Sequence, residues 1–258
     1  MTAPLLFITG ASSGIGQAIA LEWARRGGRL ALVARRGDEM RAWAAAQGWP
    51  AERAAVYVAD ARDVAAMTAA GGDCIAAQGL PDVVIASAGI SVGVDMGMAA
   101  DLDVLRQLFE TNNIGLAATF QPFIAPMRAR GAGRLVGIAS VAGIRGLPGH
   151  AAYSSSKAAV ISFCESLRVE LRSSGVRVVT IAPGYIDTPL TRGNSYSMPF
   201  LMPADKFARQ ALDAIAAGVG LRVIPWQMGV LARLLRILPD GIYDRIVAGR
   251  PRKARRTQ

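Results

Sequence analysis

The chain has 258 residues, of which 52% are hydrophobic and 19% are charged, and this size and composition suit one α/β domain with a sizeable core. No uninterrupted apolar run approaches the roughly 18 residues that a membrane span needs, and two cysteines, Cys74 and Cys164, exclude a disulfide framework. The formal net charge is +10, but the carboxyl-terminal tail supplies half of it, so a nucleic-acid partner is not required; the basic tail residues are Arg250, Arg252, Lys253, Arg255 and Arg256.

The first predicted strand, Leu5–Thr9, begins almost at the start of the sequence and leaves no room for a signal peptide. A reducing cytoplasm is the location that this start and the low cysteine count favour.

Short β-branched runs alternate with longer alanine-rich stretches along the whole sequence. Most of the runs are continuously apolar, which is typical of strands buried on both faces of a parallel sheet. The alternation predicts a single doubly wound Rossmann-type α/β domain with a seven-stranded, mostly parallel sheet over residues 1–225. The predicted strands are Leu5–Thr9, Leu30–Ala34, Ala55–Ala59, Val83–Ser87, Arg134–Ala139, Val176–Ile181 and Arg222–Ile224, and the predicted helices include Gly16–Arg26, Ala99–Leu108, Ala151–Arg172 and Asp205–Ala217.

A glycine-rich turn follows the first strand and opens a helix, with the spacing Gly10-x-x-x-Gly14-x-Gly16. Glycine permits a tight turn and a close approach of the backbone, and a helix N-terminus offers free N–H groups to a pyrophosphate. The sequence therefore predicts a dinucleotide site, with contacts from Gly10, Ser12, Ser13, Gly14, Ile15 and Gly16.

Two arginines, Arg35 and Arg36, end the second strand at the point where dinucleotide folds contact the adenosine ribose. An acid there binds the ribose hydroxyls, whereas an arginine accommodates a 2′-phosphate, so the pair favours NADP(H) over NAD(H). An exposed basic turn is the other interpretation. Asp60, at the end of the third strand, is expected at the adenine edge or in a simple turn.

Tyr153 and Lys157 lie four residues apart and so share one face of a predicted helix. A phenol with a pKa of about 10 is a poor proton donor and acceptor near neutral pH, and a nearby ammonium moves that pKa toward the working range. Ser140 supplies a hydroxyl that would hold a carbonyl oxygen against the tyrosine.

In these motifs the sequence resembles the short-chain dehydrogenase/reductase family over roughly residues 4–225. The matching pieces are T-G-A-S-S-G-I-G at Thr9–Gly16, N-N-I-G at Asn112–Gly115, Ser140, Y-S-S-S-K at Tyr153–Lys157 and P-G at Pro183–Gly184. The resemblance implies that Tyr153 is the catalytic acid/base, Lys157 binds the nicotinamide ribose, Ser140 orients the substrate oxygen, and Asn112 holds a water of a proton relay. It also implies coenzyme contacts from Ala88, Gly89, Pro183, Gly184, Ile186 and Thr188.

One departure from the family follows the fourth strand, where Ala86-Ser87-Ala88-Gly89 replaces the usual N-N-A-G. The missing asparagine side chains normally tie that strand to its neighbours, and Ser87 is the candidate replacement. The substitution concerns local stability or the geometry of the coenzyme loop, because the four catalytic residues are intact.

The loop Tyr185–Ala204 corresponds to the family's substrate lid, and its Met-rich, apolar content favours a hydrophobic substrate, although the same residues would also serve as packing. His150 is interpreted as a loop residue without a chemical role, and Cys164 as a buried thiol. The resemblance further implies a homo-oligomer through the helical regions Ala99–Thr119 and Ala151–Arg172.

Residues 226–258 form a predicted amphipathic helical extension that ends in the basic tail. Two interpretations are open. Its apolar stripes, which include Val230, Leu231 and Leu234, pack on the domain or a partner subunit, or they lie on an anionic membrane surface with Arg233, Arg236 and the tail arginines toward the headgroups. The leading function is that of an NADP(H)-dependent carbonyl reductase or alcohol dehydrogenase, and the alternative is a non-catalytic dinucleotide sensor on the same fold.

Overall fold

The computed structural model of the chain describes residues 3–194, 196–249 and 251–255. Its strands are β1 (Leu5–Thr9), β2 (Arg29–Ala34), β3 (Ala54–Val58), β4 (Val83–Ala86), β5 (Gly133–Ile138), β6 (Val176–Pro183), β7 (Ile186–Asp187), β8 (Met202–Pro203) and β9 (Leu221–Ile224). Its helices are α1 (Gly14–Arg25), α2 (Gly37–Ala46), α3 (Val64–Gln78), α4 (Asp101–Phe109), α5 (Gly115–Arg130), α6 (Ala151–Glu170), α7 (Pro189–Arg192), α8 (Ala204–Ala217), α9 (Trp226–Ile237) and α10 (Asp240–Val247).

Seven strands form one sheet in the order β3-β2-β1-β4-β5-β6-β9, and every neighbouring pair is parallel. The predicted Rossmann-type fold is confirmed, and each predicted strand lies within two residues of its observed position. The chain runs outward from β1 to β3 and then returns to β4 beside β1. Ligands of such sheets bind where the order reverses, outside the carboxyl ends of the strands.

The sheet is buried on both faces, which explains why its strands are apolar at successive positions. In β1, Leu6 and Ile8 pack in the layer that contains α1 and α8, while Leu5 and Phe7 pack in the layer that contains α3, α5 and α6. Alternate side chains of a strand point to opposite faces, so a two-sided core requires apolar residues throughout.

In the carboxyl-terminal extension, Leu238 and Pro239 separate α9 from α10. The face of α9 that packs on the domain carries Met228, Gly229 and Ala232, whereas Val230, Leu231 and Leu234 are exposed and do not pack on the domain. Their packing on a partner subunit or on a membrane stays a prediction. Their spacing was correct for a helix, but the small residues allow the closer approach to β9, since a Cβ on Gly229 would lie 3.0 Å from the Val223 Cβ.

The position of the basic tail also differs from the one that the membrane interpretation predicts. Arg255, which that interpretation directs toward lipid, forms an ion pair with the carboxylate of Asp101 instead. Arg250 and Arg256 lie outside the described residues. No helix within the described residues has both the length and the apolarity that spanning a bilayer requires.

Candidate active site

A cavity of about 570 Å³ lies at the carboxyl ends of the central strands. Every site residue predicted from the sequence lines it except Asn112, which lies behind its wall. Those that line it are Gly10, Ser12, Ser13, Gly14, Ile15, Gly16, Arg35, Arg36, Asp60, Ala88, Gly89, Ser140, Tyr153, Lys157, Pro183, Gly184, Ile186 and Thr188.

The glycine-rich turn leaves a side-chain-free surface at the start of α1. Gly10 has a φ of +69°, and a Cβ there would come within 2.8 Å of the Ala88 backbone. A Cβ on Gly16 would overlap the carbonyl oxygen of Gly10. The Ser13 side chain makes no capping hydrogen bond, so no hydroxyl occupies the first-turn amides of α1. Such a turn suits an anion brought close to the backbone.

Thr9 fastens the end of β4 to β1. Its hydroxyl accepts hydrogen bonds from the amides of Ser87 and Ala88 at 3.1 and 3.2 Å and donates to the carbonyl of Ile85 at 3.5 Å. Thr9 therefore makes the hydrogen bonds between β1 and the end of β4 for which the sequence analysis proposed the side chain of Ser87. No local pattern in the sequence indicates this role, because the contacts span more than seventy positions.

Three arginines line the end of the cavity beside β2 and β3. Arg35 is largely exposed, and its Nη1 lies 4.0 Å from Oδ2 of Asp60. Arg36 pairs with Glu39 of α2 at 3.1 Å. Arg62, which the sequence interpretation missed, also lines the cavity and binds Asp60 at 2.7 Å, and this hydrogen bond lowers the pKa of the Asp60 carboxyl. The Asp60 carboxylate thus pairs with the guanidinium group of Arg62 and lies within 4.0 Å of that of Arg35.

Tyr153 and Ser140 meet at the opposite end of the cavity. Burial raises the pKa of the Tyr153 phenol, and a hydrogen bond with Ser140 acts in the opposite direction. The Ser140 oxygen also accepts a hydrogen bond from the amide of Ala142 at 3.2 Å, which fixes its position at the end of β5.

Lys157 lies one helical turn from Tyr153, with its ammonium nitrogen 5.9 Å from the centre of the tyrosine ring. The ammonium donates to the carbonyl oxygen of Ile138 at 2.8 Å, and burial lowers its pKa to about 8. The sequence predicted that Lys157 lowers the pKa of Tyr153. That effect stays a prediction; burial is the largest influence on the Tyr153 phenol and raises its pKa.

Asn112 is buried within a π-helical turn, Glu110–Ile114, between α4 and α5. Its amide oxygen accepts from the backbone of Ile90 at 2.9 Å, and its amide nitrogen donates to the Ile90 carbonyl at 3.1 Å and to the Ser156 hydroxyl at 3.0 Å. π-Helical turns of this kind are frequent at functional sites. The side chain therefore holds the loop after β4 against α6, and the water relay implied by the resemblance stays a prediction.

His150 lies at the end of the loop before α6 and is buried between Tyr153 and Tyr196. Its ring centre lies 6.5 Å from that of Tyr153 and 5.9 Å from that of Tyr196, and its Nδ1 lies 3.0 Å from the carbonyl oxygen of Pro148. Burial lowers the pKa of the imidazole, which favours the neutral ring. The histidine supports the packing around Tyr153 without lining the cavity.

The lid contributes Thr188 and the short helix α7. The Thr188 side chain lies against Gly14, since a Cβ on that glycine would lie 3.4 Å from the Thr188 Cβ. The Thr191 hydroxyl donates to the Ile186 carbonyl at 2.6 Å and accepts from the Thr188 amide at 3.1 Å. These bonds fix the local backbone around Thr188.

Comparisons with known proteins agree with this geometry. The sequence matches the family described as short chain dehydrogenase over residues 5–198. An uncharacterized oxidoreductase of Myxococcus xanthus is 40% identical over 244 residues, which are 92% of this chain and 93% of that protein. A short-chain dehydrogenase of Streptomyces avermitilis is 26% identical, with a TM-score of 0.79 over 95% of this chain and 94% of that one. A Burkholderia cenocepacia short-chain dehydrogenase in complex with NADP is 22% identical, with a TM-score of 0.82 over 95% of this chain and 98% of that one, and shares the fold.

Proposed function

Because the chain belongs to the short-chain dehydrogenase/reductase family, we propose that it is an NADP(H)-dependent oxidoreductase that interconverts a carbonyl and a secondary alcohol on a hydrophobic substrate. One observation carries the proposal. Ser140, Tyr153 and Lys157 line the same cavity as the glycine turn at Gly10–Gly16. A proton-transferring group therefore lies in reach of a site built for a dinucleotide.

The residues of this chain fit a dinucleotide coenzyme. The close backbone approach at Gly10 and Gly16 leaves no room for side chains, and the start of α1 offers uncapped amides for a pyrophosphate. Lys157 would hold the nicotinamide ribose, and Pro183, Gly184, Ile186 and Thr188 would border the ring. When bound, a nicotinamide coenzyme supplies the hydride donor or acceptor for the carbonyl carbon.

The proton chemistry belongs to Tyr153. Its hydroxyl donates a proton to the carbonyl oxygen in reduction and accepts one from the alcohol in oxidation, while Ser140 holds that oxygen in place. The pKa of the phenol is raised, so the protonated form that reduction needs is the one present near neutral pH.

The preference for a 2′-phosphate is supported by the three guanidinium groups that line the adenosine end of the cavity, Arg35, Arg36 and Arg62. Arg36 and Arg62 are within 3.1 and 2.7 Å of carboxylates, whereas the closest carboxylate oxygen to Arg35 is 4.0 Å away. Arg35 is therefore the cation best placed to turn toward a phosphate, which it would bind in a charge-assisted, bidentate manner.

The hydrophobic character of the substrate is supported by the lid. Leu190, Phe200 and Leu201 expose 45%, 52% and 47% of their surface, which leaves apolar area available to a bound molecule. Leu190 lines the cavity directly. A substrate with an apolar body would cover this area and gain the usual hydrophobic free energy.

The proposal is tested with a panel of small, cyclic and long-chain ketones and NADPH or NADH, followed at the nicotinamide absorbance band. We expect NADPH oxidation with at least one hydrophobic ketone and a much lower rate with NADH. Absence of turnover with every ketone and with the corresponding alcohols would contradict the catalytic assignment. Equal rates with the two coenzymes would contradict only the coenzyme preference.

A further inference from the structure

The end of the chain returns to the active site. Residues 251–255 lie against the loop after β4 and the loop before α6. The amide of Gly93 donates to the carbonyl oxygen of Ala254 at 3.1 Å, and a Cβ on Gly93 would overlap the carbonyl oxygen of Lys253. On the other loop, a Cβ on Gly149 would lie 2.9 Å from the Arg252 Cβ. The tail therefore needs glycine at both places where it docks.

An ion pair anchors this tail. Nε and Nη2 of Arg255 each lie 2.8 Å from one oxygen of Asp101, and the side chain of Asp101 is only 7% exposed. The same carboxylate accepts the amide of Asp95 at 2.6 Å, so it also fixes the loop after β4. A two-pronged guanidinium–carboxylate pair with a buried partner is stronger than an exposed pair such as Asp103–Arg106 on the same helix.

The docked tail borders a second, largely open cavity of about 280 Å³, lined by Ile90, Ser91, Val92, Leu190, Ala254 and Arg255. Ile90 and Leu190 also line the main cavity, so the two spaces adjoin. Ile90 and Val92 pack in one apolar cluster with Tyr153. The second cavity thus lies beside Tyr153, at the end of the site away from Arg35, Arg36 and Arg62.

We propose that residues 251–255 form the outer wall of the substrate subsite, where they receive an apolar group of the carbonyl or alcohol substrate and limit its size. This proposal rests on the proposed function. The Arg255–Asp101 pair holds the wall in place, and Ala254 sets the depth of the space beside Leu190. The tail acts on the choice of substrate and leaves the coenzyme site at Gly10–Gly16 unaffected.

The test uses the full-length enzyme and three changes: a chain that ends at Gly249, the variant Asp101→Asn, and the variant Ala254→Leu. The measured quantity is the ratio of kcat/KM for a bulky ketone to that for a small one. We expect truncation and Asp101→Asn to raise this ratio by on the order of tenfold and Ala254→Leu to lower it, with the NADPH affinity unchanged. The matched control is Asp103→Asn, which breaks an exposed pair on the same helix and should leave the ratio unchanged.

Hydrogen exchange of residues 90–95, measured without any substrate, tests the docking separately. We expect faster exchange in the truncated chain, because the Gly93 amide loses its acceptor. Unchanged exchange would overturn the docked tail, and faster exchange with an unchanged substrate ratio would overturn its role as a wall. A wild-type enzyme that turns over no ketone or alcohol contradicts the proposed function and the substrate role together, while the exchange result still distinguishes a docked tail from a free one.

Discussion

Tyr153 and Lys157 are both shifted by burial toward their neutral forms. The pKa of the phenol rises, and that of the ammonium falls to about 8. The phenol therefore stays protonated under ordinary conditions, whereas the lysine loses its charge within an accessible pH range. We therefore expect Tyr153 to affect the reaction rate and the titration of Lys157 to affect the pH dependence of NADPH affinity.

The variant Tyr153→Phe should lower kcat by on the order of 10²–10⁴ because it removes the proton-transferring hydroxyl and retains the ring that packs with Ile90 and Val92. NADPH affinity, measured by fluorescence titration, should be nearly unchanged. The control is Tyr196→Phe in the lid, which lacks direct contact with the reacting oxygen in this scheme. Near-normal turnover by Tyr153→Phe would refute the mechanism.

NADPH affinity should weaken as the pH rises through about 8, where the Lys157 ammonium loses its proton. In the proposed function the protonated amine would donate to the nicotinamide ribose. Burial disfavours this charged form, and its deprotonation would remove that hydrogen bond. The measurement is the dissociation constant between pH 6.5 and 10. Lys157→Arg stays charged throughout and should flatten the curve. A flat profile for the wild-type protein would contradict the role given to Lys157.

Arg35→Asp should reduce the preference for NADPH over NADH and raise the relative affinity for NADH. The carboxylate repels a 2′-phosphate and can accept hydrogen bonds from ribose hydroxyls. The measurement is the ratio of kcat/KM for the two coenzymes. Arg41→Asp is the matched control, because Arg41 lies on α2 nearby, pairs with exposed Asp38 and is not among the residues that line the cavity.

At the scale of elements, α9 is packed on one face and exposed on the other. The exposed apolar side chains Trp226, Val230, Leu234 and Ile237 recur at intervals of three or four residues and so form one stripe. Arg233 and Arg236 flank it, and Ile242 and Ile246 of α10 are exposed as well. An apolar stripe beside cations fits the surface of an anionic membrane.

The full-length protein should therefore co-sediment with anionic vesicles at low salt and less with neutral ones, since each basic residue near an anionic surface contributes about 1 kcal/mol. Replacing Trp226 and Leu234 by serine should reduce binding without disturbing the buried face of α9. The control is Val64→Ser, an exposed apolar residue on α3. Retention of the wild-type protein in the supernatant would rule out the membrane interpretation.

At the scale of the whole molecule, the predicted oligomer has candidate surfaces on α4, α6 and the π-helical turn. Leu102, Ile114, Phe163 and Val169 expose 52%, 51%, 39% and 65% of their surface there. Phe163→Glu should shift the wild-type oligomer toward monomer, because a buried unpaired charge is costly. Light scattering after size-exclusion chromatography gives the mass, with Val64→Glu as control. A monomeric wild-type protein at micromolar concentration would contradict the oligomer.

The sequence predicted the sheet well because a two-sided core demands continuous apolar runs, as in Leu5–Ile8. The glycine turn and Tyr153 could also be recognised from the sequence, because each belongs to a short local motif, and both line one cavity in the structure. Three features were not predicted: the hydrogen bonds of Thr9 to the end of β4, the third arginine at the cavity, Arg62, and the docking of Arg255 on Asp101. Thr9 and Arg255 act across 76 and 154 positions of the chain, distances at which no local pattern operates. The raised pKa of Tyr153 depends on burial, which residue spacing does not encode.

Arg145, in the loop before α6, contacts the segment that connects α9 to α10. Its guanidinium donates to the carbonyls of Arg236 and Leu238 at 2.9 and 3.2 Å, pairs with Asp240 at 2.7 Å and lies 4.2 Å above the ring of Tyr243. The Tyr243 hydroxyl in turn donates to the carbonyl of Gly146.

During translation Arg236, Leu238, Asp240 and Tyr243 leave the ribosome after the glycine turn, Tyr153 and Arg145 have been made. The glycine turn is made first, near the amino-terminal end of the chain. A nascent chain halted near residue 225 would therefore contain the glycine turn while Arg145 and Gly146 still lacked these contacts. We expect the newly made protein to acquire coenzyme binding before it acquires activity, in two stages separated by the release of its final helices.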